Sequence, residues 1–199
     1  MLIPFLESDR LEAGCDEVGR GCLCGPVVAA AVILPCDFAN ELVNDSKKLT
    51  KSNRQTLVSE IKSAALAWAV AEASVEEIDT INILHASFLA MSRAVERLNT
   101  KPHHLLIDGN RFKSNLDIPY TCIIQGDGKF ASIAAASILA KVYRDEMMEQ
   151  YSQEYPGYGW ETNVGYPTRV HREGILKMGL TPLHRKFFRH LPEQLVLDL

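Results

Sequence analysis

The sequence lacks long apolar runs, Cys-x-x-Cys pairs and an excess of positive charge. Each of these absences argues against a class of protein. No stretch of about 18 apolar residues is present, so we expect no membrane-spanning helix. The first residues lack the positive charge of a secretory signal. The five cysteines are an odd number without a Cys-x-x-Cys pair, which favours reduced thiols in a cytoplasmic protein.

The net charge of −4 argues against bulk electrostatic capture of nucleic acid. The charge is unevenly distributed, however, because residues 162–192 contain a single acid, Glu173, and six basic residues: Arg169, Arg172, Lys177, Arg185, Lys186 and Arg189. Two interpretations stay open for this segment. It is either an ordinary solvated helix face or a basic strip that holds a polyanion beside an acidic centre.

Acidic residues beside glycine occur at three places, each after an apolar, strand-like run. Asp16 and Glu17 precede Gly19, Asp108 precedes Gly109, and Asp127 lies between Gly126 and Gly128. Carboxylates that are brought together repel one another and disfavour ionisation. A hard divalent cation, which prefers oxygen ligands, neutralises them. The pattern therefore predicts metal-assisted phosphate chemistry at the ends of neighbouring strands.

Apolar runs and helix signals alternate along the chain and predict an α/β protein. The predicted strands span residues 11–15, 27–34, 67–73, 104–107 and 120–125. Ser74 with Glu77 opens a helix, Asn82 caps its continuation, and another helix follows Asp127. The order β-β-α-β-α-β-β-α favours a mixed sheet covered by helices. We predict a catalytic core over 1–155 and a helical extension over 156–199 that packs on it and contributes to substrate binding, in one structural domain.

Short motifs in a fixed order carry a family resemblance that covers nearly the whole chain. They lie at residues 13–21, 25–32, 44–49, 107–109, 126–127, 132–138, 140–142, 144–145 and 165–168, and at His171, Pro182, His184 and Arg185. Together they closely resemble the signature of bacterial ribonuclease HII. The resemblance implies a ribonuclease H-like mixed five-stranded sheet flanked by helices, with a small C-terminal helical extension.

The same resemblance implies an activity and a metal site. Proteins of this type hydrolyse the RNA strand of RNA–DNA hybrids and incise 5′ to single ribonucleotides in duplex DNA, leaving 3′-hydroxyl and 5′-phosphate ends. They excise misincorporated ribonucleotides. The catalytic acids map to Asp16, Glu17, Asp108 and Asp127, which are expected to bind two Mg²⁺ or Mn²⁺ ions. Because neighbours on a strand point to opposite faces, we expect Gly14 and Gly19 to let the backbone bend there.

The resemblance also implies the residues that bind substrate. Gly19, Arg20 and Gly21 are expected to read the ribose 2′-hydroxyl, and Tyr166 to stack on the sugar at the RNA–DNA junction. Ser46 and Lys47 are expected to contact backbone phosphates. Read without the family, these residues would be a turn with a solvated arginine, a core or turn aromatic, and an ordinary loop.

Two positions depart from the family pattern. Val164 and Gln125 stand before Gly165 and Gly126, where the family often carries lysine. Each replacement removes a positive charge from the expected nucleic-acid face, so affinity or its salt dependence is expected to be weaker.

Two further features allow alternative interpretations. His171 and His184 are candidates for metal ligands or a general base, but an oxygen-rich site needs no imidazole. We favour a structural or phosphate-facing role for His184 and the adjacent Arg185. The tail 194–199 resembles peptides that dock on bacterial sliding clamps. Packing of this apolar tail on its own domain is favoured over clamp binding. Nothing in the sequence demands more than a monomer.

Two rival functions remain possible from the sequence. A DNA-specific two-metal nuclease, such as a junction resolvase, would keep the fold, but residues 19–21 and Tyr166 argue against it. A non-catalytic protein that binds hybrids would be expected to lack catalytic acids, and all four are present.

Overall fold

A mixed five-stranded sheet forms the centre of the protein. The computed structural model describes residues 2–38 and 51–191, and of residues 51–54 the backbone alone. The strands are β1 (Glu12–Val18), β2 (Val27–Ile33), β3 (Ala67–Ala73), β4 (His104–Asp108) and β5 (Tyr120–Ile123). They are ordered β3-β2-β1-β4-β5. The β1–β2 and β2–β3 pairs are antiparallel, whereas β1–β4 and β4–β5 are parallel. The predicted mixed sheet is confirmed.

Within residues 2–38 and 51–191, five helices accompany the sheet, and the first three follow the predicted chain order. They are α1 (Lys51–Ala64), α2 (Val75–Glu96), α3 (Ala131–Glu154), α4 (Trp160–Asn163) and α5 (Arg169–Met178). The capping box of Ser74 and Glu77 is formed at the start of α2. Asn82 interrupts α2 with a φ of 65°, and its Oδ1 accepts the amides of Leu84 and His85. Both predicted caps of this helix are confirmed.

Helices cover both faces of the sheet. Helix α2 packs on one face through residues such as Ala86, Ala90 and Met91. Helices α1 and α3 pack on the other, where Ile61 and Ile138 meet the sheet. All seven residues of β2 are buried, as its continuous apolar run predicts for a strand covered on both sides.

Strand β1 differs from its prediction in extent and shape. It continues to Val18, so Asp16 and Glu17 lie inside it. Gly14 pairs in regular register with Val32 and Leu106, and the expectation that it bends the strand is wrong. A Cβ at Gly14 would lie 2.2 Å from the backbone carbon of Ser132. Gly14 therefore allows α3 to cross β1 closely.

Other boundaries moved for identifiable reasons. Strand β5 ends at Ile123, earlier than predicted, because Gln125 adopts a φ of 56° and turns the chain. Gly19, with a φ of 97°, makes the turn after β1, as expected. Among residues 2–38 and 51–191, the helices are too short or too polar to cross a membrane.

The chain after α3 packs on the core. Tyr158, Trp160 and Ile175 form an apolar cluster with Leu23 and Met148. The division into a core and an extension stays a prediction. Ser46 and Lys47, and the tail 194–199, lie outside the residues that the structure describes.

Candidate active site

The structure brings the four predicted acids to one cleft. Strand β1 carries Asp16 and Glu17, the end of β4 carries Asp108, and a single 3-10 turn carries Asp127. Strands β1 and β4 are adjacent and parallel, with Cys15 opposite Ile107, so Asp16 and Asp108 follow directly on paired residues. The cleft has a volume of about 540 Å³ and is lined by Asp16, Glu17, Val18, Gly19, Arg20, Gly21, Asp108, Asp127, Ser137, Lys141 and Tyr166.

The carboxyl groups of Asp16 and Asp108 have raised pKa values, because Asp16 is buried, Asp108 is partly buried and both lie near other acids. Asp16 is only 7% exposed. Burial, followed by repulsion from Glu17 and Asp108, raises its pKa well above its usual range, and a hydrogen bond with Ser137 partly offsets this. Burial also raises the pKa of Asp108, and the charge of Asp127 adds to that rise. The Asp108 Oδ1 accepts the amide of Gly126 at 2.7 Å, which fixes the carboxylate.

Glu17 has a cationic partner inside the cleft. Its Oε1 lies 2.9 Å from Arg20 Nη1. Burial raises the pKa of Glu17, against the opposing effect of this arginine. Among the described residues, no three Asp, Glu, His or Cys side chains form a ready-made metal-binding group. The donor set still fits hard divalent cations, because it consists of mutually repelling carboxylates in a partly enclosed space.

Helix α3 supplies two lining residues whose roles sequence reasoning missed. Ser137 and Lys141 are four positions apart and therefore lie on one face of the helix. Lys141 Nζ lies 2.6 Å from Asp145 Oδ1. A signal for this wall was present in the sequence. Ser137 and Lys141 are polar residues four positions apart in a part of the helix that is otherwise mostly apolar.

Arg185 is not part of a basic surface strip, contrary to that interpretation of residues 162–192. It is fully buried, as is Arg144. Arg144 donates to the carbonyls of Pro26, Cys24 and Val164. Arg185 donates to five carbonyls in the loop between β1 and β2, those of Gly19, Arg20, Cys22, Gly25 and Pro26. Two buried guanidinium groups therefore organise the loop that carries the predicted ribose-reading residues.

Tyr166 stands beside that loop. Its side chain is partly solvent-accessible, with the residue 39% exposed, and a Cβ on Gly21 would lie 3.8 Å from its ring. Burial raises the pKa of the Tyr166 phenol, and the nearby Cys22 adds to the rise. Its amide donates to the carbonyl of Asn163 at 2.9 Å. The loop and Tyr166 thus line the same cleft, and their roles in ribose reading and stacking stay predictions.

His171 and His184 form a buried network outside the cleft. Trp160 Nε1 can only donate, and it lies 2.9 Å from His171 Nε2. That nitrogen is therefore unprotonated, and His171 Nδ1 donates to the Tyr166 carbonyl at 2.9 Å. His184 Nδ1 accepts the amide of Thr181, so its Nε2 carries the proton and faces His171 Nε2 at 3.2 Å. Both rings are neutral and structural, which for His184 agrees with the first of the two roles favoured above.

We expect His184 to make the protein less stable in acid. Burial, with the nearby His171 and His190, lowers the His184 pKa from 6.5 to about 4. Below pH 6.5 the unfolded chain binds the proton more readily, so stability falls between pH 6.5 and 4. When the pH is lowered from 7 to 4.5, the free energy of unfolding of the wild type should fall by about 2 kcal/mol more than that of His184→Asn. Urea unfolding at both pH values measures the difference. Equal losses in the two proteins would contradict the assignment.

Val164 and Gln125 share an unexpected backbone conformation. Each has a positive φ, 42° for Val164 and 56° for Gln125, which is unusual for non-glycine residues and especially for a β-branched one. The Val164 carbonyl accepts from Arg144 Nη1 at 2.7 Å. Each position lies two residues before a residue that lines the cleft, Tyr166 and Asp127 respectively, and strained backbone of this kind is often found at functional sites.

Known proteins resemble this chain in sequence over nearly its full length. The sequence profile described as Ribonuclease HII matches residues 13–191. Ribonuclease HII of Parabacteroides distasonis is 61% identical over 197 residues, which are 99% of each chain. Ribonuclease HII of Bacteroides thetaiotaomicron is 61% identical over 191 residues, which are 96% of each chain.

Solved structures resemble it in fold. Ribonuclease H2 from Pyrococcus horikoshii has a TM-score of 0.75 at 26% identity, over 90% of this chain and 94% of that one. Ribonuclease HII from Archaeoglobus fulgidus, solved in complex with PCNA, has a TM-score of 0.74 at 24% identity, over 95% and 100%. The predicted ribonuclease H-like α/β fold is confirmed. Together with the sequence relatives, these findings leave one assignment: the chain belongs to the ribonuclease HII family and is therefore a metal-dependent ribonuclease, a hydrolase.

Proposed function

We propose that this protein hydrolyses the RNA strand of RNA–DNA hybrids and incises 5′ to single ribonucleotides embedded in duplex DNA. The products would carry 3′-hydroxyl and 5′-phosphate ends. The observation that supports this most is the cleft in which four acids lie beside the 19–21 loop and Tyr166. Acids that can bind metal ions would lie beside the residues expected to recognise a ribose, which suits hydrolysis of a phosphodiester at a ribonucleotide.

Asp16, Glu17, Asp108 and Asp127 would hold two Mg²⁺ or Mn²⁺ ions. When bound, the ions would activate the attacking water and stabilise the leaving oxygen. Asp108 is already oriented by the Gly126 amide. Glu17 would exchange its contact with Arg20, an exposed side chain, for a cation, which would release the guanidinium toward substrate phosphate. Lys141, which is paired with Asp145, lies in the wall of the same cleft.

The loop and Tyr166 would select the ribonucleotide. The 2′-hydroxyl is the group that distinguishes RNA from DNA at a single nucleotide. The ring of Tyr166, which borders Gly21, offers an apolar face for the sugar at the RNA–DNA junction. A DNA-specific nuclease would need neither element. Phosphate contacts from Ser46 and Lys47 stay a prediction.

A pair of matched duplexes tests the proposal. We expect Mg²⁺-dependent incision of a duplex with one ribonucleotide and none of its all-DNA twin, with the cut placed 5′ to the ribonucleotide. Gel analysis of end-labelled strands and of their susceptibility to phosphatase would identify the position and the ends. Asp108→Asn should incise neither duplex. Incision of both duplexes by the wild type would favour the rival DNA nuclease.

Three further expectations accompany the proposal as predictions. Docking of the tail 194–199 on a sliding clamp is the less favoured of its two interpretations, and the ribonuclease HII of Archaeoglobus fulgidus, solved in complex with PCNA, makes it worth testing. The protein would act as a cytoplasmic monomer, and its role would be the excision of misincorporated ribonucleotides and the removal of RNA from hybrids.

A further inference from the structure

Arg185 is a buried cation whose donors are all used by backbone. Its Nε lies 2.9 Å from the Gly25 carbonyl. Its Nη1 lies 3.1 Å from the Arg20 carbonyl and 2.8 Å from that of Cys22. Its Nη2 lies 2.7 Å from the Gly19 carbonyl and 3.3 Å from that of Pro26. A guanidinium has five N–H donors, so five carbonyls satisfy it and no donor remains for a carboxylate.

Keeping this charge inside the protein has a cost. Burial, followed by the charge of Arg144, lowers the pKa of Arg185 to about 10. Apolar side chains of similar volume often stabilise a fold as well as a buried charged group does. Packing alone therefore does not explain an arginine here. Its contacts do something that an apolar side chain could not do, which is to fix the direction of particular carbonyls.

The direction of a carbonyl fixes the direction of the next amide. In a planar trans peptide, the C=O of one residue and the N–H of the following residue point in opposite directions. Arg185 holds the carbonyls of Gly19 and Arg20, so the N–H groups of Arg20 and Gly21 point away from the buried guanidinium. Arg20 and Gly21 are exposed and line the cleft.

We propose that Arg185 is a positioning residue for ribose recognition, which turns the amides of Arg20 and Gly21 into the cleft to donate to a 2′-hydroxyl oxygen. The inference rests on the proposed function, because it assigns the origin of the ribonucleotide preference. Arg185 acts from the core, 165 residues along the chain from Arg20, and does not itself touch substrate. Arg144 holds the far side of the same loop through Cys24 and Pro26.

Arg185→Lys tests the role, because lysine keeps the charge but cannot hold five carbonyls in one plane. Binding to the singly ribonucleotide-substituted duplex and to its all-DNA twin would be measured by fluorescence anisotropy in EDTA. We expect the preference for the ribonucleotide duplex to fall about tenfold, as the loss of about one good hydrogen bond implies. Affinity for the all-DNA duplex should stay within about twofold, because phosphate contacts do not depend on these amides.

Tyr158→Phe is the matched control. It removes the hydrogen bond from the Tyr158 hydroxyl to the Gly179 carbonyl at 2.9 Å, in the same C-terminal part of the protein. It should lower stability without changing the preference. Equal weakening of both duplexes by Arg185→Lys would overturn the inference and leave Arg185 a purely structural residue.

An observation on the wild type decides the matter even if Arg185→Lys does not fold. The ¹⁵N-resolved amide signals of Arg20 and Gly21 should shift differently with the two duplexes, whereas that of Gly179 should not. Identical shifts at Arg20 and Gly21 would overturn the inference. A wild type that incises the ribonucleotide duplex but binds both duplexes equally would overturn it too, whereas a wild type that incises neither would refute the proposed function instead.

Discussion

Replacing Asp16 by asparagine should abolish incision and make the metal-free protein more stable. The expected loss of activity is roughly 10³-fold, because the variant removes a charged oxygen that would hold the catalytic cations. The gain in stability has a separate origin. Asp16 is buried, and Glu17 and Asp108 repel it, which raises its pKa. The folded protein therefore holds the Asp16 proton more tightly than the unfolded chain does.

That difference sets the direction of the pH effect. The folded state loses stability as the pH rises above the ordinary aspartate value of 3.8, and the loss grows until the pH passes the raised pKa of Asp16 in the folded protein. Asparagine has no charge to bury, so the free energy of unfolding of Asp16→Asn should exceed that of the wild type at pH 7 in EDTA. The advantage should shrink toward pH 4. Urea unfolding at the two pH values measures it.

Divalent cation should reverse the ranking of the two proteins. Mg²⁺ that binds the folded wild type stabilises it by mass action, and the variant should gain less. Asp117→Asn is the matched control, because it removes an exposed carboxylate from the loop before β5 and should change neither incision nor stability. If Asp16→Asn lost stability in EDTA, the repulsion assigned to the cleft would be wrong.

The sequence predicts the elements of this protein better than the contacts between them. A continuous apolar run predicted β2 close to its observed ends, because burial on both faces leaves a simple pattern. Strand β3, whose residues alternate between buried and more exposed, was also predicted at its observed ends. The acids were recognisable because glycines flank them and because the motif order resembles a family. Their convergence in one cleft depends on β1 and β4 being adjacent and parallel, which local pattern alone does not specify.

The features that the sequence did not predict are contacts between residues far apart in the chain. The sequence allows several interpretations of Arg185, and none of them indicates that it reaches carbonyls in a loop about 160 residues earlier. The tautomers of His171 and His184 likewise depend on Trp160 and Thr181. The strained φ of Val164 is tolerated where Arg144 holds its carbonyl, and a valine gives no local sign of a left-handed conformation.

The role of Gly14 also depends on a contact with a distant part of the chain. Adding one methyl group there, in Gly14→Ala, should destabilise the protein more than adding one elsewhere in the sheet. An added Cβ would lie 2.2 Å from the backbone carbon of Ser132 and 2.3 Å from the nitrogen of Ile133. Relief requires α3 to move away from β1. Overpacking of this kind commonly costs about 1–3 kcal/mol, and because the three nearest atoms are all backbone of α3, we expect about 3 kcal/mol or more.

Gly128→Ala provides the comparison. A Cβ at Gly128 would meet no atom within 4 Å, and its φ is not among the positive values, so the added methyl should change the unfolding free energy by less than about 0.5 kcal/mol. Urea unfolding of both variants at pH 7 measures the difference. A Gly14→Ala protein as stable as Gly128→Ala would show that α3 can retreat from the sheet at no cost.

The collision at Gly14 also links the fold to the cleft. Helix α3 carries Ser137 and Lys141 to the cleft, and β1 carries Asp16 two residues beyond Gly14. A shift of α3 should therefore lower incision even at temperatures where Gly14→Ala remains folded. Because the colliding atoms belong to backbone, removing the Ser132 side chain in a Gly14→Ala, Ser132→Gly double variant should restore neither stability nor incision. Recovery of either would place the conflict in the Ser132 side chain and contradict the close crossing of α3 over β1.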